Sequence, residues 1–347
     1  MRAHPFGWSS RGDPVALSPL TDGARRRDLA IVGPTATGKS ALAATLSERL
    51  PGTEVVSIDA LAVYRGLDVL TAKSAASTGV HLVDIADPSE DFSVADFQGA
   101  ARAVVEEIHA RGHVAVLAGG TGLYHRAAAG ELDLPGRFSD VAAVLEAEAD
   151  RSGGVRGLYE RLSKLDPVAA GRIEPGNRRR LIRALEVTIG SGRPFSSYGP
   201  GLCDYPSSSM LTIGLELGRD ELYARLDARL DSQLSSGLLD EVRALSGLSP
   251  PLSRTASQAI GYRELSAHLA GELSLDEALA EMRRRLRSFA RRQEAWFRRD
   301  PRVVWLQASR PELCEAVTEL WIAAGAPTVP ARSLRAGAAA RWENAPR

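Results

Sequence analysis

A glycine-rich segment near the start of the chain has the spacing G-x-x-x-x-G-K-[ST]. It consists of Gly33, Pro34, Thr35, Ala36, Thr37, Gly38, Lys39 and Ser40 and is called the phosphate loop below. The apolar run 29–32 precedes it and an amphipathic stretch, 41–50, follows it, which predicts a strand, a loop and a helix in that order. Backbone N–H groups at such a helix N-terminus wrap a phosphate chain, while the lysine adds positive charge and the serine hydroxyl can hold Mg²⁺. The motif therefore predicts a phosphate-bearing substrate, with ATP as the default candidate.

An aspartate ends the next predicted strand. Asp59 follows the apolar stretch 54–58, about 20 residues after the phosphate loop. Its carboxylate is compatible with three roles at this point. It could hold Mg²⁺ through water, as in an NTPase, it could act as a general base, or it could be the N-cap of a helix in the stretch that follows. The spacing alone leaves these three roles open.

Three further segments carry polar groups that could serve a ligand, and each has a structural alternative. Lys73, one of only three lysines in the chain, is either a ligand-binding group or a solvated charge. Residues 119–121 follow a predicted strand and either let the backbone approach a ligand or form a tight turn, with Thr121 supplying a hydroxyl. Arg229 shares a predicted helix face with Arg225, which is also typical of a solvated charged face.

Arginines cluster in two places although the formal net charge is zero. The first cluster is 178–180 with Arg183, and the second runs from 283 to 299 with aromatic residues between the arginines. Such local concentrations of positive charge indicate a polyanion such as tRNA. The alternative is a solvated helix face. For Phe289, Trp296 and Phe297 we favour a place in the hydrophobic core over base stacking.

Composition restricts the class of protein. The chain has 347 residues with 44% hydrophobic residues and no run of the ~18 apolar residues that a membrane span needs. Its two cysteines, Cys203 and Cys314, have no partners at metal-ligand spacing, so neither a zinc site nor a disulfide framework is predicted. We expect a cytoplasmic protein without a signal peptide or a membrane partner, with a flexible tail over 1–28 and a second tail over 311–347.

Apolar and amphipathic segments alternate along most of the chain, which predicts an α/β fold. Strands are predicted at 29–32, 54–58, 81–85, 114–118, 210–215 and 302–306. Helices are predicted at 40–50, 94–111, 141–149, 155–164, 167–173, 178–189, 219–237, 238–245, 262–270 and 275–299. We predict a P-loop NTPase-like parallel sheet flanked by helices, formed by 29–125 and 197–310, with a small all-helical insertion domain at 126–196. The phosphate loop, Asp59 and 119–121 then share the carboxyl edge of the sheet, where ligands of such sheets bind.

Taken together, these blocks resemble the tRNA dimethylallyltransferase family, over roughly residues 29–307. The resemblance is carried by the phosphate loop with its Gly-Pro-Thr-Ala opening, Asp59, and the blocks 63–66, 71–73, 81–85, 87–89, 119–124, 180–187, 258–264, 291–293 and 296–297. The ordered series is far more specific than the phosphate loop alone.

The resemblance implies that the phosphate loop holds the diphosphate of dimethylallyl diphosphate instead of ATP, with Mg²⁺ at Ser40. The dimethylallyl group would go to the N6 amine of the adenosine 3′ to the anticodon, in tRNAs that read codons starting with U. Asp59, as general base, Arg229, as clamp on the leaving diphosphate, and Thr37 would be the catalytic residues. The expected contacts with the anticodon stem-loop are Asp59, Ala60, Leu61, Ala62, Thr121, Arg179, Arg180, Arg183, Gln258, Gly261 and Arg263. We expect the protein to be a monomer.

The sequence departs from the family pattern at three positions that concern tRNA more than chemistry. Ala60 stands where a serine is usual, Leu70 where a glycine is usual, and Ala142 where some members have an arginine. Two other functions remain open at this point. One is an ATP-dependent nucleotide or small-molecule kinase, which leaves the blocks after 180 without a role. The other is a non-catalytic RNA-binding protein, which is expected to have lost Lys39, Asp59 or Arg229.

Overall fold

The computed structural model describes residues 28–73, 79–199 and 204–325. The predicted N-terminal tail, 1–28, lies outside these ranges except for Asp28, and so does Cys203. Asp28 is held in place rather than part of a tail. Its Oδ1 accepts a hydrogen bond from the backbone N–H of Ala115 at 2.9 Å and lies 2.9 Å from Nε2 of His109.

The described chain divides into two compact units. The first contains the described residues of Met1–Phe92, Ala103–His125 and Ser208–Arg347, and the second contains those of Ser93–Arg102 and Arg126–Ser207. The second unit includes the predicted insertion, 126–196, but also takes in the segment Ser93–Arg102, which the sequence placed in the first domain. Within the second unit, Nε2 of Gln98 donates to the backbone oxygen of Leu132 at 3.0 Å, which ties this segment to the chain after 126.

The first unit is built on a parallel sheet. The strands are β1 (Leu29–Val32), β2 (Thr53–Ser57), β3 (Val114–Ala118), β4 (Leu211–Glu216) and β5 (Val304–Gln307), in the order β2-β3-β1-β4-β5. All neighbouring strands are parallel, and both Ile31 and Ser57 align with Ala118, so the carboxyl ends of three strands meet at one edge. The predicted α/β fold class is confirmed.

One predicted strand, 81–85, is wrong. In the structure, His81 forms only an isolated bridge to Val56, in which Ser57 N donates to His81 O at 2.9 Å. The chain then turns away, because Leu82 and Asp84 have φ angles of 62° and 57°, which no strand accepts. An apolar pattern of this length could not reveal a turn that depends on two residues with left-handed backbone.

Thirteen α-helices lie within the described residues. They are α1 (Lys39–Arg49), α2 (Asp68–Thr71), α3 (Val94–Ala110), α4 (Gly122–Ala128), α5 (Ser139–Ala149), α6 (Gly154–Leu165), α7 (Pro167–Ala170), α8 (Arg178–Ser191), α9 (Arg219–Ser235), α10 (Leu238–Ser246), α11 (Tyr262–Leu269), α12 (Leu275–Phe297) and α13 (Leu313–Ala323). In this part of the chain none of them combines the length and the apolar composition that crossing a bilayer requires.

The last helix corrects the predicted C-terminal tail, 311–347. Val317 and Trp321 of α13 are buried in the same cluster as Leu46 of α1 and the side chains of β1 and β4. Burial of this apolar stripe stabilises the helix on the sheet, which a tail cannot do. Only residues 326–347 of the predicted tail lie outside the described range.

The second unit is helical, with its core formed by α5, α6, α7 and α8. Leu145, Leu158, Leu162 and Leu181 are each at most 1% exposed and belong to one cluster. These leucines come from positions spaced at helical intervals, so each helix turns one apolar stripe inward. The α8 helix begins at Asn177, whose Oδ1 accepts from the backbone N–H of Arg180 at 3.2 Å.

A carboxylate on β2 gathers three basic side chains. Glu54 forms a paired contact with Arg111, at 2.8 and 3.1 Å, and lies 2.8 Å from Nε2 of His81 and 2.7 Å from Nδ1 of His113. The Arg111 contact, with support from both histidines, lowers the pKa of Glu54 to about 2. Glu54 thereby ties the segment at His81 and the start of β3 to β2.

We predict that Glu54→Gln destabilises the protein by about 2 kcal/mol at pH 7, the usual worth of hydrogen bonds to a charged group. The folded pKa lies below the unfolded value of 4.5, so the stabilisation is present above pH 4.5 and is lost as the pH falls towards 2. Urea unfolding at pH 7 and at pH 3 measures this, with the exposed Glu319→Gln on α13 as control. An equal loss of stability at both pH values would contradict the prediction.

Candidate functional site

A cavity of about 1500 Å³ opens at the carboxyl edge of the sheet, and all of its lining residues belong to the first unit. It brings together residues that the sequence had separated by up to about 200 positions. The predicted site residues that line it are Thr35, Ala36, Gly38, Lys39, Ser40, Asp59, Ala60, Leu61, Ala62, Thr121, Arg229, Gln258 and Arg263. The cavity is therefore the candidate active site.

The phosphate loop has the backbone that its glycines allow. Gly33 has φ of 132°, and a Cβ there would lie 2.4 Å from the backbone oxygen of Leu215, so only glycine fits beside β4. Gly38, with φ of 86°, starts α1. Thr37 is 2% exposed, and its hydroxyl donates to the backbone oxygen of Pro34 at 2.9 Å. Thr37 is not among the described residues that line the cavity, and its hydroxyl shapes the loop. The catalytic role expected for it stays a prediction.

Lys39 is buried at the bottom of the loop. Its Nζ donates to the backbone oxygen of Pro34 at 2.5 Å. Burial lowers the pKa of Lys39 to about 7; the charge of Arg229 also lowers it, whereas the charge of Asp59 raises it. The three side chains therefore share one electrostatic environment, in which an arriving anion favours the protonated lysine.

Asp59 caps the segment that follows it, but this segment is a turn and not the helix that the capping role assumed. Its Oδ1 accepts from the backbone N–H of Leu61 at 2.9 Å and of Ala62 at 3.4 Å. Within the described residues, the other oxygen has no hydrogen-bond partner. One oxygen thus orients the carboxylate, and the second is available to take a proton or to meet a metal-bound water.

The loop after β3 is joined to the turn at Asp59. Oγ1 of Thr121 accepts from the backbone N–H of Ala60 at 3.1 Å. Because this contact uses the backbone of Ala60, it does not need the serine that is usual at that position. Thr121 therefore orients the turn that carries Asp59, in addition to lining the cavity.

Arg229 reaches the cavity from α9 and is held by a backbone oxygen. Its Nη2 donates to the oxygen of Thr71 at 3.0 Å, at the end of the short helix α2. Burial lowers the pKa of Arg229, and the charge of Asp59 opposes this shift. The solvated-face alternative is thus wrong for Arg229, which has a fixed position beside Asp59 and Lys39.

The short helix α2 is held by hydrogen bonds from α10 and α9, two helices that are far away in the sequence. Glu241 of α10 accepts from the backbone N–H groups of Asp68, Val69 and Leu70, at 2.9, 2.6 and 2.8 Å. Gln233 of α9 donates to the oxygens of Val69 and Leu70, at 2.5 and 3.0 Å. These bonds fix the carbonyl of Thr71 and, through it, Arg229.

Lys73 is neither a solvated charge nor a group aimed freely at a ligand. Its Nζ lies 2.9 Å from Asp68 and 2.6 Å from Asp84, and it donates to the backbone oxygen of Tyr64 at 2.6 Å. The side chain is only 8% exposed. Lys73 therefore ties α2 to the turn at Asp84. The segment 81–85, which does not form the predicted strand, supplies the carboxylate of this ion pair.

The expected tRNA contacts fall into both units. Gln258 and Arg263 line the cavity in the first unit, whereas Gly261 does not line it; its N–H donates to Glu264 at 2.9 Å. Arg179 and Arg180 are exposed on α8 in the second unit, and their guanidinium groups have no partner within the described residues.

Arg183, also expected to contact tRNA, is already engaged by protein. It pairs with Glu186 at 2.7 Å and donates to the backbone oxygens of Pro135 and Gly136, at 2.8 and 3.2 Å. In this geometry Arg183 anchors the segment before α5 on α8. A role in positioning the second unit's backbone accounts for all of its contacts.

The arginines of α12 are mostly neutralised. Arg287 pairs with Asp227 at 2.7 Å, Arg283 pairs with Asp231 at 3.2 Å, and Arg285 pairs with Glu264. These three arginines therefore stabilise the packing of α12 on α9 and α11. Arg292, whose Nη1 donates to Ser288 at 2.7 Å, lines the cavity without an acidic partner among the described residues.

Sequence analysis missed cavity residues on α12. Phe289 and Trp296, which were assigned to the core, line the cavity, whereas Phe297 is buried as expected. Gln293 is 7% exposed and bonds to two loops. The feature of the sequence that could have indicated this role is that Gln293 is a polar residue on the buried face of a predicted helix, four positions before Phe297.

Comparison with known proteins decides the family. A sequence model described as IPP transferase matches residues 62–300. The chain belongs to the IPP transferase family. It is 45% identical over 296 residues to the tRNA dimethylallyltransferase of Thermobifida fusca, covering 83% of this chain and 92% of that protein. It is 46% identical over 294 residues to the tRNA dimethylallyltransferase of Streptomyces coelicolor, with 83% and 93% coverage. The resemblance inferred from the sequence is confirmed, and neither the kinase nor the non-catalytic alternative is favoured.

Solved structures agree with this membership in the IPP transferase family. The tRNA isopentenylpyrophosphate transferase of Bacillus halodurans superposes with a TM-score of 0.62 at 38% identity, covering 87% of this chain and 97% of that one. A eukaryotic dimethylallyltransferase acting on tRNA has a TM-score of 0.71 at 23% identity, with 89% and 82% coverage, and supports the fold alone.

We predict that Lys39→Met raises the melting temperature of the ligand-free protein at pH 6 by at least about 3 °C, because it removes a buried charge. The folded pKa of about 7 lies below the unfolded 10.5, so the folded chain binds fewer protons between these values and wild-type stability rises with pH across that window. The advantage of Lys39→Met is therefore largest below pH 7 and smaller at pH 9.

Thermal unfolding at pH 6 and pH 9 measures this difference, with the exposed Lys164→Met as the matched control. A lower melting temperature of Lys39→Met at pH 6 would show that the ammonium stabilises the loop.

Proposed function

We propose that this IPP transferase transfers the dimethylallyl group of dimethylallyl diphosphate to the N6 amine of the adenosine 3′ to the anticodon, in tRNAs that read codons starting with U, and releases diphosphate. One observation carries the proposal. Lys39, Asp59 and Arg229 meet at a cavity that the phosphate loop lines, in a chain whose relatives are named for this reaction. The protein acts as a monomer on the anticodon stem-loop of tRNA.

Asp59 is the proposed general base. The amine of adenine is a weak nucleophile because its lone pair is delocalised into the ring, so removal of its proton assists attack. The Asp59 oxygen that has no partner in the described chain takes that proton, while the Leu61 N–H holds the other oxygen. The amine nitrogen then bonds to the allylic carbon, and the electrons of the breaking C–O bond pass to the diphosphate oxygen.

Lys39, Arg229 and the phosphate loop stabilise the leaving group. Negative charge grows on the bridging oxygen as the C–O bond breaks, and fixed cations and N–H donors at that point lower the barrier. Lys39 becomes protonated as the anion binds, and Arg229, which lines the cavity, is held by the backbone oxygen of Thr71. Both cations are carried by rigid elements, α1 and α9, so little reorganisation is needed.

The residues at the loop also fit a magnesium ion. Ser40 is exposed and lines the cavity next to Lys39, and its hydroxyl is a hard oxygen donor. The described residues contain no cluster of three or more His, Cys, Asp or Glu side chains that could hold a metal ion. Mg²⁺ commonly binds to one or two protein groups together with phosphate oxygens and water. Mg²⁺ at Ser40 would neutralise diphosphate charge.

The base must leave its stack to reach the cavity. Base flipping costs a few kcal/mol, which contacts around the flipped nucleotide repay. Gln258 and Arg263 line the cavity and are the proposed contacts in the first unit, together with Ala60, Leu61, Ala62 and Thr121. Arg179 and Arg180 are the proposed phosphate contacts in the second unit.

The proposed reaction is tested by supplying purified protein with Mg²⁺, labelled dimethylallyl diphosphate and tRNA whose base 3′ to the anticodon is adenosine. Label is expected in that tRNA and not in a tRNA with guanosine at the position. Labelled ATP is tested in parallel with tRNA and with small acceptors. Transfer of its phosphate without prenyl transfer would overturn the proposal in favour of a kinase.

We predict that Asp59→Asn lowers kcat for prenyl transfer by at least about 100-fold, the usual contribution of a general base, because the amide cannot accept the proton. The amide oxygen can still accept from Leu61, so the turn and tRNA binding are retained. Steady-state kinetics and a tRNA filter-binding assay measure both effects. Loss of tRNA affinity equal to the loss of kcat would instead assign Asp59 to tRNA positioning.

A further inference from the structure

A buried amide on α12 joins two loops of the site. Oε1 of Gln293 accepts from the backbone N–H of Thr35 at 2.9 Å, and its Nε2 donates to the backbone oxygen of Gly120 at 3.0 Å. The side chain is 7% exposed, so both bonds are shielded from water. Gln293 thus uses its donor and its acceptor at once, one on the phosphate loop and one on the loop after β3.

A side chain at Gly120 would have to displace the amide of Gln293. A Cβ on Gly120 would lie 2.1 Å from Nε2 of Gln293, which is closer than real Cβ atoms come to other heavy atoms. Gly120 has no left-handed backbone requirement, so the close approach of Gln293 is the main constraint on a larger residue there. The glycine and the glutamine form one fitted pair.

The bond to Thr35 changes what the phosphate loop offers to a ligand. Thr35 belongs to the set expected to bind diphosphate, but its N–H is committed to Gln293. The donors left for the phosphate oxygens are those nearer to α1, together with Lys39 and Ser40. By holding Thr35, Gln293 fixes the entrance of the loop, and by holding Gly120 it fixes the segment next to Thr121, which in turn holds the turn of Asp59.

We propose that Gln293 is a positioning residue that locks the phosphate loop to the loop after β3, so that the diphosphate site and the general base Asp59 are preformed relative to each other. It touches no reacting atom. Its effect passes through Thr35 on one side and through Gly120, Thr121 and Ala60 on the other. This inference rests on the proposed function, because it assigns Gln293 to the binding of diphosphate.

The test compares Gln293→Met, which keeps the length of the side chain and removes both hydrogen bonds, with the same change at Gln307, an exposed residue of β5. Inorganic pyrophosphate with Mg²⁺ is the probe in calorimetry. The expected result for Gln293→Met is a Kd for pyrophosphate and a KM for dimethylallyl diphosphate raised on the order of 10-fold, since displaced binding groups act strongly on bound ligands. The KM for tRNA is expected to rise less, because Gln293 reaches the proposed tRNA contacts Thr121 and Ala60 only through Gly120. Gln307→Met is expected to match the wild type in all three.

Gly120→Ala is the second variant, because its Cβ displaces the same amide while residue 293 remains glutamine. Its loss of pyrophosphate affinity is expected to resemble that of Gln293→Met, and the double variant is expected to lose no more than either single one. Melting temperatures are measured in parallel. A variant with a lower melting temperature but wild-type pyrophosphate affinity would reduce Gln293 to a structural role and overturn the inference.

Additive losses would also overturn it, because they would show that Gln293 and Gly120 act independently. A rise in the KM for tRNA with wild-type affinity for pyrophosphate would do the same, because it would show that Gln293 does not act on the phosphate loop. The proposed function fails by a different result. If the wild-type protein itself binds no pyrophosphate and transfers no prenyl group, the phosphate loop has another ligand.

Discussion

At the carboxyl end of the sheet, the positive charges of Lys39 and Arg229 lie near the single carboxylate of Asp59. Much of the surrounding structure serves to hold these three groups in place. Lys39 is 8% exposed and Arg229 is partly buried, and the charge of Asp59 acts to raise the pKa of both. A buried ammonium without an anion is unfavourable, which is why the pKa of Lys39 lies near 7. The backbone oxygens of Pro34 and Thr71 hold these cations in the absence of a second carboxylate. The excess of positive charge suits a ligand with several negative charges, as diphosphate has.

This arrangement requires a rigid frame, which comes from helices late in the chain. Glu241 and Gln233 hold α2, whose last carbonyl holds Arg229. Gln293 joins the phosphate loop to the loop after β3. In each case a polar side chain, buried at Gln233 and Gln293 and half-buried at Glu241, bonds to backbone groups of a loop or of a short helix. These bonds fix the segments that carry the site.

Local patterns were sufficient where local forces decide the structure. The phosphate loop, the strand before it and the helix after it depend on glycine backbone freedom and an apolar run, and all three lie where the sequence placed them. The strand expected at 81–85 does not form, because this segment makes a turn that the ion pair of Lys73 with Asp84 stabilises. The tail expected from 311 is in part α13, whose stripe is buried only because the sheet offers a face to cover.

Charge was the property that sequence predicted least well. Arg283 and Arg287 looked available to a polyanion, but Asp227 and Asp231 of α9 neutralise them. Arg183 was an expected RNA contact and is held by Glu186, whereas Arg229 looked solvated and lies in the site. Whether an arginine is free depends on which acid lies within about 4 Å. Glu186 is three residues from Arg183 on the same helix, whereas Asp231 and Asp227 meet Arg283 and Arg287 only through the fold.

The α/β class, the phosphate loop, the aspartate at the next strand end and the family were all predictable from the sequence. They follow from short-range backbone constraints and from ordered blocks of residues. The fold was needed to show that Thr37 shapes the loop, that Lys73 is a structural tie, and that Gln293 bonds to Thr35, 258 positions away, and also to Gly120. Such contacts form when a helix packs on the ends of distant strands, and a buried hydrogen bond depends on that packing and on nothing in the local sequence.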